Sequence, residues 1–123
     1  MTTYVVLLPG DETAWENATE EQRAAVYAQH GEFARALEER GHTITGGAEL
    51  THSREAKVVR RGGAGVTITD GPYAETVEQL SGFYVVETDD LDDLLEVCAL
   101  LADAESAVEV RAAVTGEPEE PTP

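Results

Sequence analysis

His30 has both the chemistry and the setting for proton transfer. It shares helical spacing with Val26, Phe33 and Leu37, so we expect it to face the core or a pocket and not the solvent. An imidazole in such a place needs hydrogen-bond partners. Its ordinary pKa lies near neutrality, which suits acid–base work. Two interpretations stay open: a core histidine held by a carbonyl or a tyrosine hydroxyl, and a residue that moves protons.

Asp70 places a carboxylate at a sharp turn that directly follows a short strand rich in β-branched residues. Pro72 fixes its own φ and makes the turn rigid, and loops that carry chemistry tend to have such a scaffold. One interpretation is an Asx-turn residue that stiffens the end of the strand. The other is a carboxylate that orients an imidazole or shares its proton. A histidine and an aspartate without a serine or cysteine nucleophile favour proton transfer over acyl-enzyme chemistry.

Half of the eight basic side chains lie within eight positions of the sequence; they are Arg54, Lys57, Arg60 and Arg61. In so acidic a chain this cluster either attracts an anionic ligand, with Arg60 as the candidate contact, or pairs with the acids of a partner subunit. His42 and His52 lie in loop-like surroundings and are interpreted as solvated. The spacing of the three histidines is not typical of a metal site, and no glycine-rich phosphate motif opens a helix. We therefore predict no metal and no cofactor.

Hydrophobic periodicity and turn residues predict the helices and strands that must position these groups. Thr19 and Gln22 form a capping-box pattern that begins a long helix, which Gly41 ends. Trp15 is expected in a polar loop before it. Asp89 or Asp90 caps a second helix, on whose apolar face Cys98 is a small core residue. The remaining predicted segments are strands over 4–8, 43–51 (bent at Gly46-Gly47), 56–60, 66–69, 82–88 and 107–114, a turn or two of helix over 73–80, and a disordered acidic tail over 116–123.

This order of elements predicts an α+β fold: a ferredoxin-like βαββαβ arrangement with an inserted hairpin. Both helices would pack on one face of an antiparallel sheet. The other face needs cover, and a second copy of the chain is the simplest cover, so we expect a homodimer. We predict one domain over residues 1–115, followed by the tail.

The charge balance narrows the classes of partner. Asp plus Glu number 25 against 8 Lys plus Arg, which gives a formal charge of −17. Such a surface repels nucleic acid and anionic membranes. One cysteine excludes an internal disulfide, no apolar run reaches a membrane-spanning length, and the N-terminus lacks the pattern of a signal peptide. We therefore expect a cytoplasmic protein without nucleic-acid or membrane partners.

The chain resembles the YCII-related family, in the branch named after an Asp-Gly-Pro-Phe motif, from about Tyr4 to Arg111. The motifs that carry the resemblance are Thr69-Asp70-Gly71-Pro72-Tyr73-Ala74-Glu75-Thr76, the early Asp11-Glu12 with Trp15, Tyr27-Ala28-Gln29-His30-Gly31-Glu32-Phe33, Gly46-Gly47-Ala48-Glu49-Leu50 and Asp89-Asp90-Leu91-Asp92. The chain departs from the motif in carrying Tyr73 for phenylalanine. That change adds a hydroxyl, which makes Tyr73 a candidate ligand contact in the cleft.

The resemblance implies a ferredoxin-like fold of the dimeric α/β barrel type and an active site formed by a histidine and an aspartate, here His30 and Asp70. One relative of the broader family is a lactone-processing dehalogenase, and the fold is similar to that of muconolactone isomerases. The first expectation is therefore an isomerase- or lyase-like acid–base enzyme acting on a small carbonyl or lactone compound. Members of the branch often sit beside genes for extracytoplasmic-function sigma factors. The alternative is accordingly a non-catalytic module that binds a small ligand or a protein in transcriptional regulation.

Overall fold

The computed structural model describes residues 1–103 and 106–114 of the chain. Six strands, three α-helices and two 3-10 turns follow one another in that part. In chain order they are β1 (Thr2–Asp11), α1 (Glu12–Glu16), α2 (Glu20–Glu39), β2 (Thr43–Glu49), a 3-10 turn (Ser53–Glu55), β3 (Lys57–Gly62), β4 (Gly65–Asp70), β5 (Glu78–Thr88), α3 (Leu91–Cys98), a 3-10 turn (Ala99–Leu101) and β6 (Glu109–Ala112). No helix of the described residues is long and apolar enough to cross a bilayer. The predicted tail lies outside them.

Four strands form one antiparallel sheet in the order β2-β5-β1-β6, and β3 and β4 form a separate two-stranded sheet. If the β3–β4 hairpin is set aside, this is the strand order of a βαββαβ ferredoxin-like fold. The predicted fold class and its inserted hairpin are confirmed. β2 is bent as predicted, with a register shift between Ile44 and Gly46.

The core lies between one face of the four-stranded sheet and helices α2 and α3. Side chains alternate between the two faces of a strand, and Val6 and Val86 face the helices. They pack there with Phe33, Leu37 and Leu94, all fully buried. Both long helices therefore cover the same face, as predicted. Cys98 belongs to this core, as predicted, and Val97 is buried beside it, whereas Leu91 and Leu95 of the same helix are 37% and 44% exposed.

The predicted helix ends are confirmed. Thr19 accepts a hydrogen bond from the backbone N–H of Gln22, whose side chain accepts one from the N–H of Thr19. Asp90 caps α3 by accepting from the N–H of Asp93. At the C-terminus of α2, Gly41 has a φ of +88°, a conformation that glycine adopts at little cost.

Two of the predicted secondary-structure assignments are wrong. Trp15 lies in α1 and not in a loop, because Asp11 accepts hydrogen bonds from the N–H groups of Thr13 and Ala14 and so begins a helix there. No helix forms over residues 73–80. Strand β5 begins at Glu78, and the side chain of Gln79 donates to the carbonyl of Ala74, which holds the preceding segment as an irregular loop.

Candidate functional site

His30 and Tyr84 form the centre of the candidate site. His30 projects from α2 and Tyr84 from β5, on the sheet face that carries the core. Nδ1 of His30 lies 2.7 Å from the Tyr84 hydroxyl, and the two rings stack with centroids 5.8 Å apart. Phe33, one turn along α2, also packs against Tyr84, with the two ring centroids 5.1 Å apart. The tyrosine is therefore held in place by the core while its hydroxyl reaches the half-buried imidazole.

The close approach of β2 to Tyr84 requires a glycine. Gly47 has a φ of +151°, and a Cβ on it would lie 2.6 Å from the Phe83 carbonyl oxygen and 3.2 Å from Cα of Tyr84. Any larger residue would push β2 away from β5 at the strand that carries the tyrosine. Gly47 therefore fixes the wall of the site.

Glu49 supplies the negative charge that acts on the His30 imidazole. Its two carboxylate oxygens accept from the Tyr27 hydroxyl, each at 3.1 Å, and Trp15 contacts the Tyr27 ring edge-on at 5.7 Å. Burial lowers the pKa of His30, and the charge of Glu49 opposes that shift. Burial also raises the pKa of Tyr84. At neutral pH the pair is thus a neutral imidazole and a protonated phenol.

The second ring nitrogen of His30, Nε2, is the atom of the pair that can exchange a proton with a ligand. Within residues 1–103 and 106–114, Nε2 has no hydrogen-bond partner. If Nδ1–H donates to the Tyr84 oxygen, Nε2 carries a lone pair that can accept a proton. If the Tyr84 O–H donates to Nδ1, Nε2–H can donate to a ligand. The arrangement can therefore move a proton in either direction.

Asp70 lies elsewhere. It ends β4, its side chain is 78% exposed, and its carboxylate accepts from Lys57 Nζ at 2.5 Å across the hairpin. The described part of one chain contains no contact between Asp70 and His30. Gly71 has a φ of +102°, and its N–H donates to the carbonyl of Ala56, which closes the base of the hairpin. The predicted His30–Asp70 pair is not formed in this conformation and stays a prediction.

The other two predicted ligand contacts, Tyr73 and Arg60, lie together. The Arg60 guanidinium carbon is 5.8 Å from the centre of the Tyr73 ring, and Tyr73 is 83% exposed. Tyr73 borders a cavity of about 330 Å³ at the base of the hairpin, which we call the hairpin-base cavity. Its lining residues are Leu50, Thr51, His52, Ser53, Ala56, Pro72, Tyr73, Gln79 and Leu80.

His52 is not freely solvated, contrary to the sequence-based interpretation. Its side chain is 22% exposed, and its Nδ1 accepts from the N–H of Arg54, which leaves the proton of the neutral ring on Nε2. Nε2 lies 3.6 Å from Glu12, which also accepts from the N–H and hydroxyl of Ser53 at 2.7 and 2.6 Å. The sequence signal that was not used is Glu12, three residues before Trp15, because α1 brings its carboxylate to this loop.

His42, also predicted to be solvated, is 4% exposed. Its Nε2 donates to Asp93 at 2.7 Å, so Nδ1 of the neutral ring accepts from the Thr88 hydroxyl, also at 2.7 Å. Thr88 in turn accepts from the N–H of Asp90. Both ring nitrogens are satisfied, and the cluster ties the end of β5 to the start of α3.

Comparison with known proteins shows one family over most of the chain. Residues 2–115 match the family model for the YCII-related domain. An uncharacterised protein of Rhizobium meliloti (strain 1021) is 31% identical over 101 residues, which cover 82% of this chain and 81% of that protein.

Proposed function

The chain belongs to the YCII-related domain family, and on that premise we propose that it is an acid–base enzyme that moves a proton on a small carbonyl or lactone compound at His30 and Tyr84. The observation that carries the proposal is the half-buried imidazole with one nitrogen 2.7 Å from a phenol and the other without a partner among the described residues. Placement in the Asp-Gly-Pro-Phe branch of the family belongs to the proposal, and it is supported by the motif over residues 69–76 together with the other separated motifs quoted for the resemblance.

The proposed step is removal of a proton from the carbon next to a carbonyl. Nε2 of His30 accepts that proton, and the electron pair of the broken C–H bond moves to the carbonyl oxygen to give an enolate. Return of the proton to a different carbon completes an isomerisation, and loss of a β-substituent completes an elimination. Burial favours this step because it keeps the imidazole neutral, and therefore basic, at neutral pH.

Deuterium exchange tests the step before the product is known. Five-membered unsaturated lactones and small 2-oxo acids are incubated with the protein in D₂O, and loss of the α-proton signal is followed by NMR. His30→Gln is expected to abolish the catalysed exchange, and Tyr84→Phe to slow it roughly 10²-fold. His52→Gln is the matched control and is expected to leave the rate unchanged, because His52 lines the hairpin-base cavity and not the His30–Tyr84 site. Exchange that survives His30→Gln, or no exchange with either compound class, would overturn the proposal.

Asp70→Asn decides whether the predicted pair acts together. An unchanged exchange rate places Asp70 outside the reaction, as its contact with Lys57 suggests. A rate that falls as far as in His30→Gln brings Asp70 into the reaction through a change of the loop or through a second copy.

The hairpin-base cavity supports the second candidate, a non-catalytic module that binds a small ligand. Its apolar lining suits the apolar body of a ligand. Arg60 beside Tyr73 has no carboxylate partner among residues 1–103 and 106–114 and is free to take an anionic group. Use of this module in sigma-factor regulation is the finer form of the candidate and rests on the sequence resemblance.

1-Anilinonaphthalene-8-sulfonate, an apolar monoanion, is the probe for this cavity. Binding is followed by its fluorescence. Tyr73→Ala and Arg60→Gln are expected to weaken the affinity, whereas Arg61→Gln, the neighbouring arginine on the other face of β3, is expected to leave it unchanged. Equal loss in both arginine variants would contradict the candidate, since it would show a general charge effect.

A further inference from the structure

Glu49 lies beside the candidate site at a position that the sheet fixes. Antiparallel pairing places Gly47 of β2 opposite Tyr84 of β5. Two residues further along β2, Glu49 lies opposite Gly82. Residues directly opposite each other share one face of a sheet, and the diagonal neighbours on that face are about 7–8 Å apart, within reach of long side chains. Glu49 and Tyr84 are such a diagonal pair, and the two glycines put no side chain between them.

Helix α2 holds the Glu49 carboxylate at the solvent side of the imidazole. Tyr27 lies three positions before His30 and therefore on the same side of the helix. Its hydroxyl lies 3.1 Å from each carboxylate oxygen of Glu49. A phenol has one proton to donate, so the carboxylate keeps capacity for other contacts. Tyr27 is 52% exposed and Glu49 is also exposed, whereas His30 is half-buried, so the carboxylate lies on the more open side of the site.

The charge that acts on the imidazole is negative. The field of Glu49 raises the pKa of His30 against the effect of burial. Arg23 is the cation that acts on Tyr27, but its Nε and Nη2 donate to the carbonyl of Trp15 at 3.2 and 2.9 Å. Its guanidinium carbon also lies 5.2 Å from the centre of the Trp15 ring. Arg23 is thus held against α1, and Glu49 sets the sign of the charge beside His30.

This charge affects the proposed proton transfer differently for two classes of substrate. An uncharged carbonyl compound gives its proton to Nε2 of His30 and becomes a singly charged enolate beside the new imidazolium, which Glu49 stabilises. A compound that already carries a carboxylate approaches Glu49 as an anion and becomes a dianion in the same step. One pair of like charges a few ångströms apart at a partly exposed site changes an equilibrium or a rate on the order of 10-fold or more.

We propose that Glu49 is a specificity-determining residue that restricts the reaction at His30 and Tyr84 to uncharged carbonyl compounds, such as plain lactones, and rejects those that carry a carboxylate. The inference rests on the proposed function, because it names the substrate class of the same site. A like charge placed against the unwanted compound is one of the two general routes to specificity. Glu49 does not receive the proton itself; it selects the compound that reaches His30.

Two lactones that differ in charge alone test the selection. Both are five-membered unsaturated lactones with the same side chain, which ends in a carboxylate in one and in the methyl ester of that carboxylate in the other. Exchange of the α-proton in D₂O is followed by NMR, and each rate is divided by the rate with free imidazole to correct for the acidity of the C–H bond. The unaltered protein is expected to exchange the ester on the order of 10-fold faster than the carboxylate.

Glu49→Gln is expected to bring the two corrected rates to within about threefold of each other, because the amide keeps the shape of the side chain and loses its charge. The amide also keeps an oxygen for the Tyr27 hydroxyl, so the site is expected to stay folded, which circular dichroism checks. Glu32→Gln is the matched control. It removes an exposed acid two positions from His30 but about 200° around the same helix, and is expected to keep the ratio of the unaltered protein.

The two levels of the proposal fail in different ways. Equal corrected rates for the two lactones in the unaltered protein would overturn the role of Glu49 and leave the proposed function in place. A ratio that Glu49→Gln does not change, or that Glu32→Gln changes as much, would do the same. Exchange of neither lactone would remove the proposed function and the role of Glu49 with it.

Discussion

His42 and His30 lie on the same side of the sheet, yet they differ in whether their ring nitrogens are satisfied. His42 donates to Asp93 and accepts from Thr88, and it is 4% exposed. Among the described residues, His30 has a hydrogen-bond partner only at Nδ1, which is the Tyr84 hydroxyl. The first cluster contains the residue types of a nucleophilic triad, but its threonine is 2% exposed and no substrate reaches it. Free hydrogen-bonding capacity at a half-buried nitrogen, and not residue type, marks the candidate site.

The largest expected effect is the loss of His42. Replacement by leucine leaves the hydroxyl of Thr88 and the carboxylate of Asp93 without their shared partner. We therefore expect His42→Leu to lower the free energy of unfolding by about 3 kcal/mol. His30→Gln, at a site with one satisfied nitrogen, is expected to change it by no more than about 1 kcal/mol. Urea denaturation measures both, and equal costs would remove the distinction between the two histidines.

A second expected effect is on the pH dependence of stability. The hydrogen bond from His42, with Arg40 beside it, lowers the pKa of Asp93 below its ordinary value of 3.8. An aspartate whose pKa is lowered on folding contributes stability that is complete above about pH 5 and is lost as the pH falls through its folded-state pKa. Asp93→Asn is therefore expected to be less stable than the unaltered chain at pH 7, with a difference that shrinks toward pH 2.

Urea midpoints at several pH values measure this difference. Asp92→Asn, a change at the exposed neighbouring acid in the same turn of α3, is the control. It is expected to give a much smaller difference at pH 7 with little dependence on pH. If the difference in stability between Asp93→Asn and the unaltered chain stays constant from pH 7 to pH 2, the His42–Asp93 contact does not make the stability depend on pH.

The inward position of His30 could be predicted from sequence. The prediction that His42 is solvated was wrong, and it failed for a physical reason. The helical spacing of Val26, Phe33 and Leu37 correctly predicted that His30 faces inward. This was possible because helical periodicity is a local property of the sequence. His42 follows Gly41, and its N–H donates to the carbonyl of Leu37 while that of Gly41 donates to Glu38. This Schellman turn sends the next side chain back toward the helix, which a loop-like composition does not reveal.

The surroundings of Tyr84 and Asp70 could not be predicted from sequence in this way, because they depend on contacts with other segments of the chain. Tyr84 is 54 positions from His30, and its strand was predicted without any sign that its hydroxyl would meet the imidazole. The fold itself was easier, because capping residues and apolar alternation determine each element separately. The place of Asp70 was not predictable in the same way, since its contact with Lys57 depends on the register of the hairpin.

The smallest expected effect concerns the pKa of His30 itself. Burial lowers that pKa below its ordinary value of 6.5, while the negative charge of Glu49 stabilises the imidazolium and limits the shift. Glu49→Gln removes the charge and keeps an oxygen for the Tyr27 hydroxyl, so the pKa of His30 is expected to fall further. NMR titration of the His30 ring protons measures it.

Glu39→Gln is the control for a general charge effect. It removes one acid from the far end of the same helix, nine residues or about 13 Å along the axis, beyond the screening length of about 10 Å at 0.1 M salt. It is expected to leave the pKa of His30 in place. A rise in the Glu49→Gln variant, or equal shifts in both variants, would show that Glu49 does not act on the imidazole. His30 would then differ from His42 only in its burial and in its number of hydrogen bonds, and not in having a nearby acid that adjusts its pKa.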